Sequence, residues 1–386
     1  MKNILCLVAL IFAFAKTEAQ YRVVFKLNKF PAAHAGDSIY ISGSFNRWVP
    51  ASDTLLFLPN ADHVLQVSVK LAADDYEYKC IRGSWQKTET QPDGKSIQNR
   101  FLRLQSDTTI EINIDAWQDD FVSAEKQHTA SRQVQVADTA FFMPQLNRTR
   151  KIWIYLPGDY LKSKKHYPVM YMHDGQNLFD EYTSGYGEWG VDECLDSLIA
   201  KGKPACIVVG IENGPQRFNE YNPFYFEGFG NGEGDAYLAF LTETLKPYID
   251  KRYRTLSSKE NTLIAGSSMG GLISYYAMLK RPDIFGKGGI FSPAFWTAAA
   301  IKPLTDSLAG KMNGKFFFYM GGKEGGSYIQ DMLDVRESLG ERSSAMIYSL
   351  IHPDSMHNEL AWRKWFAEFY NWIMADGFNY VVKTKE

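Results

Sequence analysis

One stretch of the sequence joins a nucleophilic side chain to surroundings that could activate it. Residues 262–265, Thr-Leu-Ile-Ala, fit a short buried strand and lead into Gly-Ser-Ser-Met-Gly at 266–270. Apolar residues at helical spacing follow, and Pro282 comes after the end of that helix. A strand, a tight turn and a helix around Gly-x-Ser-x-Gly are typical of a nucleophile elbow. We predict Ser268 as the nucleophile, with Ser267 as the lesser candidate.

The predicted turn explains why small residues flank the serine. Gly266 and Gly270 leave room where a side chain would collide with the strand or the helix. Ser268 would then lie at a helix N-terminus, where the helix dipole and unpaired N–H groups favour negative charge. We therefore expect the N–H of Met269 to donate a hydrogen bond to an oxyanion.

A serine nucleophile needs a base within hydrogen-bond reach and a carboxylate that orients the base. His352 and His357 are the only histidines after Ser268, and both fall between a predicted strand over 344–350 and a predicted helix over 359–373. Either could act as the base. Three carboxylates after the predicted strand at 315–320 are candidates for the orienting acid. They are Glu324, in a glycine-rich loop, and Asp331 and Asp334, whose helical spacing is more typical of a solvated face.

The elements around these residues predict an α/β domain over 148–386. Apolar strands alternate with helical patterns, which indicates a mostly parallel sheet covered on both faces. The predicted strands are 151–156, 168–172, 205–211, 262–265, 287–291, 315–320 and 344–350, and the helices include 189–200, 236–249, 328–339 and 359–373. Sites in such sheets lie at the carboxyl ends of the strands. Each candidate catalytic residue falls at such an end.

The preceding part of the chain has a different pattern. Residues 20–115 contain alternating or β-rich runs separated by turn residues, which predicts a small all-β sandwich. The predicted strands are 21–27, 38–42, 64–71, 75–82 and 108–114. Residues 116–147 are polar, and we expect them to form a linker that ends in the first strand of the second domain.

The first nineteen residues have the pattern of a secretory signal. Lys2 precedes an apolar run over 4–15 that is too short to span a membrane, and small residues at Thr17 and Ala19 fit a cleavage site. We expect cleavage after Ala19 and export to the periplasm or beyond the cell. No other stretch is apolar enough to suggest a membrane partner.

Charge and cysteine content exclude further classes. The formal net charge is −2 and no basic stripe stands out, which argues against a nucleic-acid partner. Cys80, Cys194 and Cys206 do not make a disulfide framework, and buried free thiols are the simpler interpretation. No set of His, Cys and carboxylate residues has metal-ligand spacing, so we expect no metal and no cofactor.

Five stretches of the second domain resemble the α/β-hydrolase family that includes enterochelin esterases, the esterase D group, and feruloyl and acetyl-xylan esterases. These stretches are 169–180, 211–214, 264–271, 291–296 and 357–359. The resemblance implies a serine hydrolase and leaves its substrate open. It favours His357 as the base, because His-Asn directly before the last helix is the family pattern. It also favours Glu324 as the acid.

The resemblance extends to the oxyanion site and leaves a pocket to be identified. It implies that the second N–H donor follows the strand at 168–172, which points to Gln176, although Asp174 stands where many relatives have His. Four further side chains lie near the predicted strand ends and could line the acyl or alcohol pocket, with simple packing equally compatible. They are Trp189, Arg217, Tyr221 and Trp296.

Two segments of the first domain, 39–48 and 76–85, resemble starch-binding-type carbohydrate modules, and Asn99-Arg100 matches a following part of that pattern. The resemblance implies a sugar-stacking platform made by Trp48 and Trp85, assisted by Lys79 and Asn99. Indole faces suit the C–H faces of sugars. The alternative is a fixed appendage with no ligand, in which Trp48 is part of the core.

Together these patterns predict an exported serine esterase that acts on a small-molecule or polysaccharide ester, with an acylated carbohydrate favoured. A siderophore esterase of the enterochelin type is the second interpretation, and a basic pocket would support it. A glycan-binding protein with an idle hydrolase domain is a third. Acyl transfer to a sugar in place of water stays open.

Overall fold

A computed structural model describes residues 20–46, 48–97, 99–121, 126–226, 229–325 and 327–375. The chain divides into two compact units, Met1–Ser123 and Ala124–Glu386. The predicted secretory signal, residues 1–19, lies outside the described residues. In the described ranges, no helix combines the length and the apolar character needed to cross a membrane.

The first unit is all-β, as predicted. Its strands are β1 (Gln20–Lys29), β2 (Tyr40–Gly43), β3 (Leu58–Pro59), β4 (Leu65–Ala72), β5 (Asp75–Ile81), β6 (Glu89–Thr90), β7 (Arg100–Arg103), β8 (Thr108–Asn113) and β9 (Ala116–Trp117). One sheet has the order β3-β4-β1-β8, a second β2-β5-β7, and β6 pairs with β9. The β1–β8 pair is parallel, and the other pairs are antiparallel.

A single apolar cluster fills the first unit. Alternate residues of β1 are buried, including Val23, Phe25 and Leu27, because successive side chains of a strand point to opposite faces. Trp117 is fully buried in the same cluster, so the beginning of the predicted linker is part of this unit. The short strands β3, β6, β7 and β9 were not predicted, because two to four residues carry too little alternation.

The second unit is built on an eight-stranded sheet. Its strands are β10 (Val134–Met143), β11 (Arg148–Tyr155), β12 (Val169–His173), β13 (Ile207–Ile211), β14 (Thr262–Ser267), β15 (Lys287–Phe291), β16 (Lys315–Gly321) and β17 (Met346–His352). The order is β10-β11-β13-β12-β14-β15-β16-β17. The six strands from β13 to β17 in this order are parallel, and β11 is antiparallel to both of its neighbours, β10 and β13.

Helices connect the strands and cover both faces of the sheet. They are α1 (Val191–Ala200), α2 (Arg217–Glu220), α3 (Gly234–Ala239), α4 (Lys246–Arg252), α5 (Met269–Lys280), α6 (Ile301–Leu308), α7 (Tyr328–Arg342) and α8 (Glu359–Met374), with a π-helical segment, Phe240–Leu245, joining α3 to α4. Two apolar clusters result, one containing α5 residues and the other containing α1 and α8 residues. The predicted mostly parallel α/β fold is therefore confirmed.

The predicted free thiols are also confirmed. Cys80 and Cys206 are buried and Cys194 is partly buried, and none of the three forms a disulfide. Burial raises the pKa of Cys206 to about 12, so this thiol stays protonated and inert near neutral pH.

Candidate active site

The turn between β14 and α5 holds Ser268 in a strained conformation. Ser268 is the N-cap of α5, with φ 57° and ψ −121°, a region that non-glycine residues rarely adopt. Its N–H donates to the carbonyl of Phe291 at 3.0 Å, and its carbonyl accepts from the N–H groups of Leu272 and Ala294, each at 3.0 Å. Backbone contacts to neighbouring elements therefore hold the serine at the end of the strand.

Close backbone contacts require glycine at 266 and 271, whereas at Gly270, the predicted flanking position, a Cβ would meet the Cβ of His173 at 3.2 Å. A Cβ atom on Gly266 would lie 2.9 Å from the carbonyl carbon of Gly270, and one on Gly271 would lie 2.7 Å from the carbonyl oxygen of Phe291. Distances under 3 Å are well inside van der Waals contact. The turn can therefore form only where these side chains are missing.

Glu324 lies directly after β16 and is 2 % exposed. Its Oε1 accepts from the N–H of Gly321 and from the hydroxyl of Ser292, both at 2.6 Å. Its Oε2 lies 2.8 Å from Nδ1 of His357. A buried carboxylate with three hydrogen bonds is well compensated, so it can orient an imidazole.

His357 lies in the loop between β17 and α8, where it contacts both the acid and the helix. The ring packs edge-on against Trp362 with centroids 5.1 Å apart, and the side chain is 37 % exposed. Because Nδ1 faces Glu324, the tautomer that this contact favours carries its proton on Nδ1 and leaves Nε2 as the basic nitrogen.

Ser292 and Trp362 were not singled out from the sequence. The indole N–H of Trp362 donates to Ser292 Oγ at 2.9 Å, and that hydroxyl donates to Glu324. Ser292 itself has a positive φ of 41°. The sequence feature that could have indicated Ser292 is its place as a polar residue directly after the buried strand β15, which is the neighbour of β16 in the sheet.

The other candidates for base and acid lie elsewhere. His352 ends β17, where Nδ1 contacts Ser355 Oγ at 2.9 Å and the ring lies 4.9 Å from that of Trp365. Asp331 accepts from Ser327, and Asp334 accepts from Gln330, both on α7. The structure thus brings Glu324 together with His357, and not with His352.

The two predicted oxyanion donors follow neighbouring strands. Met269 is the first residue of α5, where N–H groups have no intrahelical acceptor. Gln176 lies in a 3₁₀ turn, Gly175–Asn177, directly after β12, and β12 pairs with β14 in parallel. Among the described residues, neither N–H donates a hydrogen bond. The turns also approach each other, since a Cβ on Gly270 would lie 3.4 Å from Asp174 Oδ2.

Arg217 pairs with Asp174, which precedes the 3₁₀ turn Gly175–Asn177. We call this turn, which carries the predicted donor Gln176, the oxyanion turn. Two parallel contacts join Arg217 to Asp174, Nε to Oδ1 at 2.7 Å and Nη2 to Oδ2 at 2.8 Å, and Asn213 donates to Oδ1 at 2.5 Å. Asp174 has a φ of 59°. Burial alone would raise the pKa of Asp174, but Arg217 and Asn213 hold it below its usual value. The carboxylate is therefore fixed in its charged form.

The four pocket candidates have different surroundings. Trp189 is 3 % exposed and packs on Phe291 and Trp362, and Tyr221 is fully buried beneath the guanidinium of Arg217. These two residues are packing positions. Arg217 is partly exposed, but its guanidinium forms an ion pair with Asp174. Trp296 is partly buried and therefore retains accessible surface.

Trp296 belongs to a row of aromatic rings that the sequence patterns did not reveal. It stacks on Tyr328 at 5.6 Å and meets Phe226 edge-on at 5.8 Å, and Phe218 and Phe229 stack at 3.8 Å beyond Phe226. The turn that carries Trp296 reaches the elbow, because Thr297 Oγ1 lies 3.6 Å from Met269 Sδ. We call these five residues the aromatic row.

The candidate glycan residues of the first unit lie on adjacent segments. Trp48 follows β2, Lys79 is on β5, Trp85 follows β5 and Asn99 precedes β7, and these three strands form one sheet. The indole rings of Trp48 and Trp85 are 6.0 Å apart and inclined by 49°. Asn99 donates to Glu77 at 2.9 Å. Burial lowers the pKa of Lys79, against the opposing effect of two glutamates.

Within the described ranges, no group of three or more His, Cys, Asp or Glu side chains is arranged to hold a metal ion.

Comparison with known proteins identifies relatives of the second unit. The family model described as "Putative esterase" matches residues 143–318. The "Uncharacterized protein YbbA" of Bacillus subtilis is 28 % identical over 241 residues, which cover 58 % of this chain and 92 % of that protein. The "Endo-1,4-beta-xylanase/feruloyl esterase" of Xylanibacter ruminicola is 28 % identical over 257 residues, or 66 % of this chain. The match spans 33 % of the length of that relative.

A solved structure shares the fold over most of the chain. The enterobactin esterase FES of Shigella flexneri superposes with a TM-score of 0.52 at 14 % identity, over 91 % of this chain and 92 % of that one. The likeness is one of fold.

Proposed function

Since residues 143–318 belong to the esterase family, we propose that the chain is an exported serine esterase whose triad is Ser268, His357 and Glu324. The observation that carries this proposal is the buried Glu324 carboxylate, 2.8 Å from Nδ1 of a histidine at the sheet edge where the strained serine also lies. A serine, an imidazole and an orienting carboxylate are the groups that acyl transfer needs.

In the proposed mechanism, Ser268 Oγ attacks the ester carbonyl while His357 Nε2 accepts its proton. Glu324 stabilises the imidazolium that forms. The tetrahedral intermediate collapses when His357 returns the proton to the leaving alcohol, which leaves an acyl group on Ser268. Water then repeats the sequence and releases the carboxylic acid.

The oxyanion would bind between the N–H groups of Met269 and Gln176. Both lie at carboxyl ends of paired parallel strands, and both point from turns that other contacts hold. Asp174 and Arg217 support the second turn from beneath. Preorganised donors of this kind lower the barrier because they need no reorientation when charge develops.

We propose an acylated carbohydrate as the substrate. The aromatic row offers flat apolar surface next to the elbow, which suits an aromatic acyl group or the face of a sugar. A relative in the comparison is named as a xylanase and feruloyl esterase, and that name agrees with this substrate class. The first unit would add a glycan platform at Trp48 and Trp85.

A siderophore esterase is the second candidate, because FES shares the fold over both units. An anionic iron chelate would need excess positive charge at the site. Arg217 supplies a guanidinium there, but Asp174 matches its charge, and Glu324 and Glu359 add two more buried carboxyl groups. This balance of charge favours the neutral ester of a carbohydrate.

The test is whole-protein mass after treatment with a fluorophosphonate, followed by a panel of feruloyl, acetyl and aryl esters. Wild type should gain one adduct and hydrolyse at least one ester class. Ser268→Ala should lose the adduct and reduce kcat by about a thousandfold or more, with its melting temperature kept. Ser267→Ala is the matched comparison and should keep the adduct. An adduct that survives in Ser268→Ala would overturn the proposal.

Export is checked by the mass of the secreted chain, which should begin at Gln20.

A further inference from the structure

Glu359 is a buried carboxyl group that the proposed mechanism does not use. It is the first residue of α8, two positions after His357, and the residue is 8 % exposed. Asn358 caps the helix through a hydrogen bond from the N–H of Ala361 at 3.0 Å. The cap fixes the backbone at Glu359, so the carboxyl group is held next to the loop that carries the proposed base.

The same side chain reaches the oxyanion turn. Asn177 Nδ2 donates to Glu359 Oε1 at 3.5 Å, and Asn177 directly follows Gln176. Asn177 is itself held on two sides: its Oδ1 accepts from the N–H of Gly185 at 3.0 Å, and its carbonyl accepts from the N–H of Trp189 at 2.8 Å. The amide of Asn177 is therefore a fixed partner for Glu359.

Charged and titratable groups face Glu359 from each element packed against it. They are His357 on its own loop, Asp174 after β12, Arg217 on α2, and Tyr186 in the loop before α1. Burial raises the pKa of Glu359 to about 7, with Asp174 adding to this effect and His357 and Arg217 opposing it. The carboxyl group therefore changes charge within the range where an imidazole also titrates.

We propose that Glu359 is a positioning residue that ties the base loop to the oxyanion turn, and that its negative charge sets the acid side of the pH profile. This inference rests on the proposed function. Both protonation states of the carboxyl group offer an oxygen to Asn177, so the tie persists across pH. The charge acts separately, because a carboxylate near His357 favours the imidazolium, which cannot accept a proton from Ser268.

Two variants of Glu359 separate the tie from the charge. Glu359→Ala removes the acceptor for Asn177, and we expect kcat to fall about tenfold with KM nearly unchanged, since one buried hydrogen bond is lost. Glu359→Gln keeps an oxygen acceptor and removes the charge. It should restore most of kcat and move the acid side of the kcat/KM profile to lower pH, because the neutral imidazole persists further into acid.

The matched control is Glu368→Ala, since Glu368 lies on the same helix and bonds Tyr348 at 3.0 Å, away from the site. It should leave the pH profile in place. A double variant of Glu359→Ala with Asn177→Ala should lose no more kcat than Asn177→Ala alone, because that single change already breaks the contact between the two side chains. Melting temperatures separate misfolding from mispositioning.

The outcomes are distinguishable from those of the parent proposal. If wild type takes the fluorophosphonate and hydrolyses esters, but Glu359→Gln keeps the wild-type pH profile and Glu359→Ala keeps wild-type kcat, then Glu359 does not position the site. If wild type neither labels nor turns over, the proposed esterase function itself fails. An unfolded Glu359→Ala leaves the Gln variant and its pH profile to decide.

Discussion

Among single residues, Arg217 acts through its pairing and not as an exposed cation. Its guanidinium makes two contacts with Asp174, a carboxylate that burial would otherwise push toward its neutral form. Breaking such a pair leaves an uncompensated buried charge, which costs more than the intact pair contributes. From the sequence, Arg217 was a candidate pocket residue because it lies near the strand ends. Its pairing with Asp174 was not predicted, because the two residues are 43 positions apart.

We expect Arg217→Gln to lower the free energy of unfolding by about 3 kcal/mol, and Arg217→Lys to cost less because charge is kept while the paired contacts are lost. The pKa of Asp174 is lowered in the folded wild type, so the stabilisation is present above the usual aspartate range and is lost as pH falls through the lowered value. In Arg217→Gln, burial without the guanidinium should raise the pKa of Asp174 above its unfolded value although the Asn213 contact remains, so stability should fall as pH rises. Urea titrations at several pH values test this; equal stability of the Gln variant and wild type would contradict it.

Local geometry could be predicted where contiguous sequence determines it. The tight turn at Ser268 was predictable because its motif, its strand and its helix are contiguous. Glu324 and His357 required the resemblance, since spacing alone left two histidines and three carboxylates. Ser292 and Glu359 were not identified, because their roles depend on which strands become neighbours and on burial that no local pattern encodes.

At the scale of elements, the elbow works only if β14 and α5 approach closely. Ser268 takes a positive φ because Phe291 and Ala294 bind its backbone from the next strand and turn. The conformational cost at this residue is balanced by contacts elsewhere, as is usual for strained functional sites. Small residues on either side are therefore a structural requirement of the site.

We predict that Gly266→Ala lowers the free energy of unfolding by about 2 kcal/mol and removes most activity, because the new Cβ would meet the backbone of Gly270 at 2.9 Å. Gly36→Ala is the matched control, since a Cβ there meets nothing within 4 Å. Thermal unfolding and ester turnover measure both effects. If Gly266→Ala keeps full stability and turnover, β14 and α5 can move apart enough to fit the methyl group, and glycine is not required at this position.

Long periodic elements were predictable, and short ones were not. Strands β11 to β17 and the helices α1, α7 and α8 were predicted to within a few residues, because their apolar patterns run over four or more positions. Strand β10 was expected only as the end of the segment 116–147, without bounds, because most of its residues are not buried. Helix α2 was not predicted, because it has only four residues. Helix α6 was not predicted either, because it is short and contains Pro303, which a helix accommodates only in its first turn.

For the whole molecule, the chain joins a β unit with candidate sugar-binding aromatics to an α/β unit in which residues 143–318 match the family model described as "Putative esterase". Each unit has an apolar cluster of its own. A glycan platform at Trp48 and Trp85 would raise the local concentration of an insoluble substrate without taking part in the chemistry.

Trp85→Ala should reduce retention on insoluble acylated xylan about tenfold, while turnover of a small soluble ester stays unchanged. Phe101→Ala, which removes another exposed aromatic ring of the same unit, should leave retention intact. Sedimentation with the polysaccharide gives the bound fraction. Equal retention of wild type and Trp85→Ala would show that these aromatic rings do not bind glycan.

The contact between Asn177 and Glu359 joins residues that are 182 positions apart. In the proposed triad, Ser268 and Glu324 both precede His357 in the chain, and the contact to Glu359 comes from α8, the helix that follows. The proposed site would therefore assemble in the nascent chain only after α8 has been synthesised and has docked on the sheet.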